Sequence, residues 1–195
     1  MSQNIEIEFK NMLTEDEFHL LIKHFNLEDT DFKKQVNHYF DTPSFSLKDY
    51  GAALRIREKG SKFEMTLKQP AFQGLLETNQ DLASDVSREV LSTGTLPGGE
   101  VKNAVDSLIE NAHELQYFGS LTTVRAELEY KGGLLVLDHS YYLNSEDYEL
   151  EYEVTDEAEG SKAFSALLKV LNIPMRPTDN KIKRFYAKKY HQLQE

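Results

Sequence analysis

The sequence predicts an α+β fold in which an antiparallel sheet is covered on its apolar face by helices. Residues Asn4 to Lys10 place Glu6, Glu8 and Lys10 on one side of a strand and Ile5, Ile7 and Phe9 on the other, because successive strand side chains point to opposite faces. The same charged-apolar alternation recurs in Ala53 to Arg57, Lys62 to Lys68, Val124 to Glu129 and Glu149 to Val154. The last two belong to a meander, with turn signals at Lys131-Gly132-Gly133 and Asn144-Ser145-Glu146-Asp147, and a meander argues against a parallel sheet.

In chain order, the first strand leads to Thr14-Glu15-Asp16-Glu17, a capping box that starts a helix. Phe18, Leu21, Ile22 and Phe25 form its apolar stripe. Gln35 to Phe40 reads as a strand closed by Asp41-Thr42-Pro43, and Ser44 to Tyr50 as a short irregular or helical connection. Ala52 to Glu58 and Lys62 to Gln69 form a hairpin around Lys59-Gly60-Ser61, and Gly74 to Leu82 is a further strand carrying Glu77. Ser84 is placed as the cap of a short helix through Leu91, and Leu96-Pro97-Gly98-Gly99 is a loop. Glu100 to Ala112 is an amphipathic helix built on Val101, Ala104, Val105, Leu108 and Ile109. Strands at Leu121 to Tyr130, Leu134 to Tyr141 and Tyr148 to Val154 follow. A helix runs from Ser161 to Leu171, Asn172-Ile173-Pro174 stops it, and a basic helix occupies Asp179 to His191.

A chain of 195 residues, 39% hydrophobic and 28% charged, suits one domain, expected to span 1–195, with a substantial core. With no cysteine there is neither a disulfide nor a thiolate metal site nor a cysteine nucleophile, so any metal must be held by carboxylates or histidines, which favours hard cations. The N-terminus enters a strand without signal-peptide character and no apolar run reaches membrane-span length, so the expected location is the cytoplasm, with no membrane partner. A net charge of -11 argues against binding a nucleic-acid polymer.

Once helices cover the apolar strand faces, the charged faces point either into water or, if the sheet curls, into the lumen of a barrel. Glu149, Glu151 and Glu153 in a row are costly unless cations or basic groups stand opposite, and both signs are at hand. Glu6, Glu8, Glu77, Glu127, Glu129 and Asp138 are the acids; Lys10, Arg55, Arg57, Lys68 and Arg125 are the bases. Carboxylates suit Mg²⁺ or Mn²⁺ and arginines grip phosphate oxygens bidentately, so together they suit a metal-polyphosphate.

The ordered series Glu6-x-Glu8-x-Lys10, Tyr39-Phe40-Asp41-Thr42, Leu54-Arg55-Ile56-Arg57, Thr66-Leu67-Lys68, Leu137-Asp138 and Glu149-x-Glu151-x-Glu153 resembles the CYTH family of triphosphate tunnel metalloenzymes. The resemblance spans nearly the whole chain, from Ile5 to the basic C-terminal helix. It implies an antiparallel barrel of about eight strands with helices outside and a charged interior that binds a triphosphate with Mg²⁺ or Mn²⁺. By this resemblance Glu6, Glu8, Glu149 and Glu151 are the catalytic carboxylates, and Glu6, Glu8, Glu77, Asp138, Glu149, Glu151 and Glu153 the metal-ligand candidates. Which two of Glu149, Glu151 and Glu153 form the family's pair stays open. Lys10, Arg55, Arg57, Lys68, Arg125 and Lys181 become the substrate-binding bases, Lys181 being preferred over Lys183.

Against these stand plainer readings: cross-strand ion pairs account for Glu64, Glu127 and Glu129, His38 reads as a partly buried histidine, and Tyr117, Phe118, Tyr141 and Tyr142 as packing. No Ser/His/Asp arrangement, Gly-rich phosphate loop or zinc spacing is visible. The expected activity is metal-dependent hydrolysis of inorganic triphosphate to release orthophosphate, by a monomer or homodimer. Thiamine triphosphate hydrolysis and cyclisation of ATP are the family alternatives, and a non-catalytic polyphosphate or nucleotide sensor is the alternative of another class.

Overall fold

The computed structural model describes the backbone of residues 2–72 and 74–192 and the side chains of residues 7–72 and 74–189. The side chain of Glu6, a candidate ligand, lies outside the described residues. The elements are β1 (Ser2–Leu13), α1 (Glu15–Phe25), β2 (Lys33–Asp41), α2 (Ser46–Asp49), β3 (Ala53–Lys59), β4 (Lys62–Pro70), β5 (Leu75–Leu82), α3 (Ser84–Thr93), α4 (Glu100–Leu108), β6 (Gln116–Tyr130), β7 (Gly133–Tyr142), β8 (Ser145–Val154), α5 (Glu157–Val170) and α6 (Lys181–Gln192). The hydrogen-bonded order β1-β5-β4-β3-β2-β6-β7-β8 closes on itself, so the fold is the expected antiparallel barrel with helices. No described helix is long and apolar enough to cross a membrane.

The chain forms two compact units, Met1–Glu6 with Gln35–Leu121 and Ile7–Lys34 with Thr122–Glu195. In the first, Leu54 and Ile56 of β3 and Met65 and Leu67 of β4 are buried with Val90 of α3 and Val101 and Val105 of α4. Arg55 and Arg57 alternate with the two β3 core residues and so face away from those helices. Ser84 is not the cap expected of it: Ala83 takes the cap position, and the Ser84 hydroxyl accepts from Arg88 at 2.9 Å instead. Helix α4 ends at Leu108, short of Ala112, because Ile109 adopts extended backbone (φ -133°, ψ 138°) and buries its side chain in the core.

In the second unit the Thr14 capping box forms as read, Thr14 Oγ1 accepting from the Glu17 amide at 3.2 Å and Glu17 accepting from the Thr14 amide at 2.8 Å. Phe18 and Leu21 of α1 and Phe164, Leu167 and Leu168 of α5 pack on Leu135, Leu137, Leu150 and Tyr152. Truncating one of these leucines to alanine costs about 2–5 kcal/mol. The hairpins are tighter than expected. Tyr130 pairs with Gly133 and Tyr142 with Ser145, so the loops are only Lys131-Gly132 and Leu143-Asn144. All four loop residues have positive φ, the two-residue turn whose twist matches that of its strands. Strand β8 therefore starts at Ser145 and absorbs Asp147, which the sequence had assigned to a turn. Helix α5 starts four residues before Ser161 because Asp156 caps it, accepting from the Glu159 amide at 2.9 Å. Helix α6 starts at Lys181, with Asn180 Oδ1 accepting from the Lys183 amide at 3.0 Å.

Candidate active site

Directly opposed residues of an antiparallel pair share a face, so strand register shows which charges each unit gathers. In the first unit Arg57 stands opposite Asn37 and Glu64, Arg55 opposite Tyr39 and Thr66, and Lys68 opposite Ala53 and Glu77. Asn37, buried on β2, accepts from Arg57 Nε at 3.0 Å, which steers the guanidinium with a neutral group. The Nε of Arg55 is buried without a hydrogen-bond partner. Lys68 forms an ion pair with Glu77. His38 belongs to the other face, opposite Ile56, and lies 3.4 Å from Glu58.

In the second unit Glu8 and Lys10 of β1 stand opposite Glu153 and Glu151, Asp138 of β7 stands opposite both Glu149 and Arg125, and Glu127 of β6 shares that face. Arg125 donates from Nε and Nη2 to the two oxygens of Asp138 at 2.7 and 2.6 Å, and from Nη2 to Glu151 at 2.8 Å. Lys181 reaches in from α6 and places its ammonium 2.8 Å from Asp138, 2.6 Å from Glu149 and 2.5 Å from Glu151. Lys183 is exposed and pairs instead with Asp179 at 3.5 Å. Lys10 donates to Glu8 at 2.5 Å.

Asp138 and Glu149 are fully buried and Glu151 is 6% exposed, so these charges persist only because they compensate one another. Burial pushes the Glu151 carboxyl up, yet Lys181, Arg125 and Lys10 outweigh it and hold the group well below the usual carboxylate range. Asp138 is lowered in the same way, burial being overcome by Lys181 and Arg125. Burial opposes charge on Lys181 and on Lys10, but Asp138, Glu151 and Glu149 raise the first, and Glu8 and Glu151 the second.

The carboxylate donors of this cluster have the hard oxygen chemistry that Mg²⁺ and Mn²⁺ require, and three of them already surround one cation, the Lys181 ammonium. Among the described residues no three carboxylates or histidines converge with the spacing of an open metal site. The donor set fits a metal by its chemistry, and three of its members pair with Lys181.

Two members of the cluster escaped the sequence reading. Arg184 donates from Nη2 to Glu149 at 2.8 Å and from Nε to Asp147 at 3.2 Å. Its position three residues after Lys181, on the same helical face, was the available signal. Asp147 also accepts from the Tyr142 hydroxyl at 2.8 Å, and burial together with this carboxylate pushes the phenol up to about 12.

A sequence model of the CYTH domain matches residues 4–186. The candidate triphosphatase YjbK of Bacillus subtilis is 54% identical over 189 residues, covering 97% of this chain and 98% of its own. A crystal structure of a candidate adenylate cyclase from Bacillus halodurans superposes with a TM-score of 0.92 at 45% identity, over 95% of this chain and 100% of that one. The candidate adenylyl cyclase HpAC1 from Hippeastrum, in which a triphosphatase activity is dominant, shares the fold with a TM-score of 0.80 at 24% identity, over 94% and 96% of the two chains.

Proposed function

The chain belongs to the CYTH domain family, whose triphosphatases use metal ions, and from that premise we propose that it hydrolyses inorganic triphosphate with Mg²⁺ or Mn²⁺. The observation that supports this reading is the convergence of the carboxylates of Asp138, Glu149 and Glu151 on one ammonium within 2.5–2.8 Å. The candidates for holding a divalent ion are Glu6, Glu8, Glu77, Asp138, Glu149, Glu151 and Glu153. Bound there, it neutralises charge on phosphate oxygens and acidifies a bound water.

The bases bind and orient the substrate. Arg55, Arg57 and Lys68 on β3 and β4 are assigned to phosphate oxygens, as are Lys10, Arg125 and Lys181. Glu151, held ionised by Lys181 and Arg125, is assigned to orient the attacking water by accepting a hydrogen bond from it. The water oxygen bonds to the terminal phosphorus, the bond to the bridging oxygen breaks, and pyrophosphate leaves as orthophosphate forms.

The test is orthophosphate release from inorganic triphosphate with each metal, with thiamine triphosphate and ATP as competing substrates. Fastest release from inorganic triphosphate is expected. Cyclic AMP and pyrophosphate from ATP would replace this reading with the cyclase reading that the Bacillus halodurans relative favours. Tight binding with no product from any of them would leave a sensor.

A further inference from the structure

We propose that the Thr66 hydroxyl is a phosphate contact, acting beside Arg55; the inference rests on the triphosphatase reading and adds a residue to its binding site. Thr66 lies in β4 directly opposite Arg55 of β3 and Asn79 of β5, so the three share one face. It is fully buried, and its Oγ1 has no hydrogen-bond partner. The Nε of Arg55, across the strand pair, is likewise buried and unpartnered.

Leaving a buried hydroxyl unsatisfied is costly, and valine has the same shape without that cost. Side chains in opposed positions are within reach of each other, and a threonine oxygen can accept from a guanidinium. These two nevertheless do not pair, which leaves two donors beside one another. Nε–H can only donate, and a hydroxyl rotates to donate, so one acceptor satisfies both. The guanidinium charge selects an anionic acceptor, and Lys68, two residues beyond Thr66 on the same face, adds a second cation. A phosphate oxygen meets all three demands. Because Thr66 Oγ1 is closed to solvent, the proposal requires neighbouring side chains to move as the phosphate enters, with Lys68 exchanging Glu77 for the substrate.

The experiment compares wild type, Thr66→Val and Thr66→Ser. Binding of a methylene-bridged, non-hydrolysable triphosphate with Mg²⁺ is measured by calorimetry, and thermal melting is recorded without ligand. Thr66→Val is expected to weaken binding by about tenfold or more while melting at or slightly above the wild-type temperature. Thr66→Ser, which keeps the hydroxyl, is expected to recover most of the affinity. Wild-type affinity in Thr66→Val overturns the inference and leaves the triphosphatase reading standing. A lowered melting temperature in Thr66→Val also overturns it, because the hydroxyl is then structural, bridged by an ordered water. If wild type itself does not bind the analogue, the triphosphate reading fails, and this inference with it.

Discussion

Lys68 of the first unit is paired with a carboxylate, as the bases of the second are, but the two arginines of β3 are held differently. In the second, Arg125, Lys181 and Arg184 are each locked onto two or more carboxylates. In the first, Arg57 is steered by the neutral amide of Asn37, and Arg55 leaves a buried Nε–H unanswered. A carboxylate partner cancels the charge that attracts an anion, whereas an amide fixes direction and leaves the charge intact. The buried Nε–H of Arg55 thus has a hydrogen bond still to give, whereas Lys181 and Arg184 already spend theirs on carboxylates.

The sharpest way to break this contrast is Lys181→Met. Removing one partner from a buried ionic cluster leaves Asp138, Glu149 and Glu151 facing one another, which costs about 3–5 kcal/mol and lowers the melting temperature by about 10 °C. If the carboxylates form a cation site, millimolar Mg²⁺ or Mn²⁺ should restore the variant far more than it shifts wild type, as binding to the native state alone requires. Thermal melts with and without metal decide it. A variant that loses stability but gains nothing from metal would assign the cluster a purely structural role.

A smaller effect is expected from making the first unit resemble the second. Asn37→Asp keeps the acceptor geometry at Arg57 Nε but places a carboxylate there, so the apparent Michaelis constant for triphosphate should rise about tenfold, with less change in kcat. Asn37→Ala, which removes this acceptor without adding a charge, should do less harm. Equal defects in the two variants would mean that Asn37 contributes shape alone.

Much of this contrast was legible in the sequence and some of it was not. Period-two alternation revealed the strands, and with them the faces carrying Glu8, Lys10, Arg55, Arg57, Glu149 and Glu151, because a strand's side-chain direction follows from parity alone. Asp147 was hidden because Asn144-Ser145-Glu146-Asp147 looks like a turn, whereas the chain turns on Leu143-Asn144 and requires positive φ of a leucine. Arg184 was hidden by the basic composition of α6, which reads equally well as a solvated face. Partner choice was beyond any local pattern: that Arg57 finds an amide and Arg125 a carboxylate depends on residues 20 and 13 positions away.

The units also differ in how their bases are delivered, which leads to the smallest effect. Arg55, Arg57 and Lys68 stand on strands of the sheet itself, but Lys181 and Arg184 arrive on a helix, so the segment before α6 must be tied down. It is tied at Arg176. Its amide donates to Asn11 Oδ1 at 2.5 Å, its carbonyl accepts from the Met12 amide at 3.3 Å, and its guanidinium donates to both oxygens of Glu17 at 2.7 and 2.9 Å. The hydrogen bonds from Arg176 hold the Glu17 carboxyl below its ordinary value. A carboxyl lowered in the folded state contributes stability that is complete above its unfolded value of about 4.3 and is lost as the pH falls through the lower folded value. Arg176→Ala should therefore melt about 1–3 °C below wild type at pH 7, a gap sized for a partly exposed pair in a chain of this length. The gap should narrow steadily below about pH 4 as Glu17 is protonated in both proteins. It should not vanish while the Thr14 amide still donates to Glu17, because that capping contact is common to both. A gap independent of pH would show that Arg176 acts through its stem and backbone rather than its charge, and melting curves from pH 3 to 8 distinguish the two.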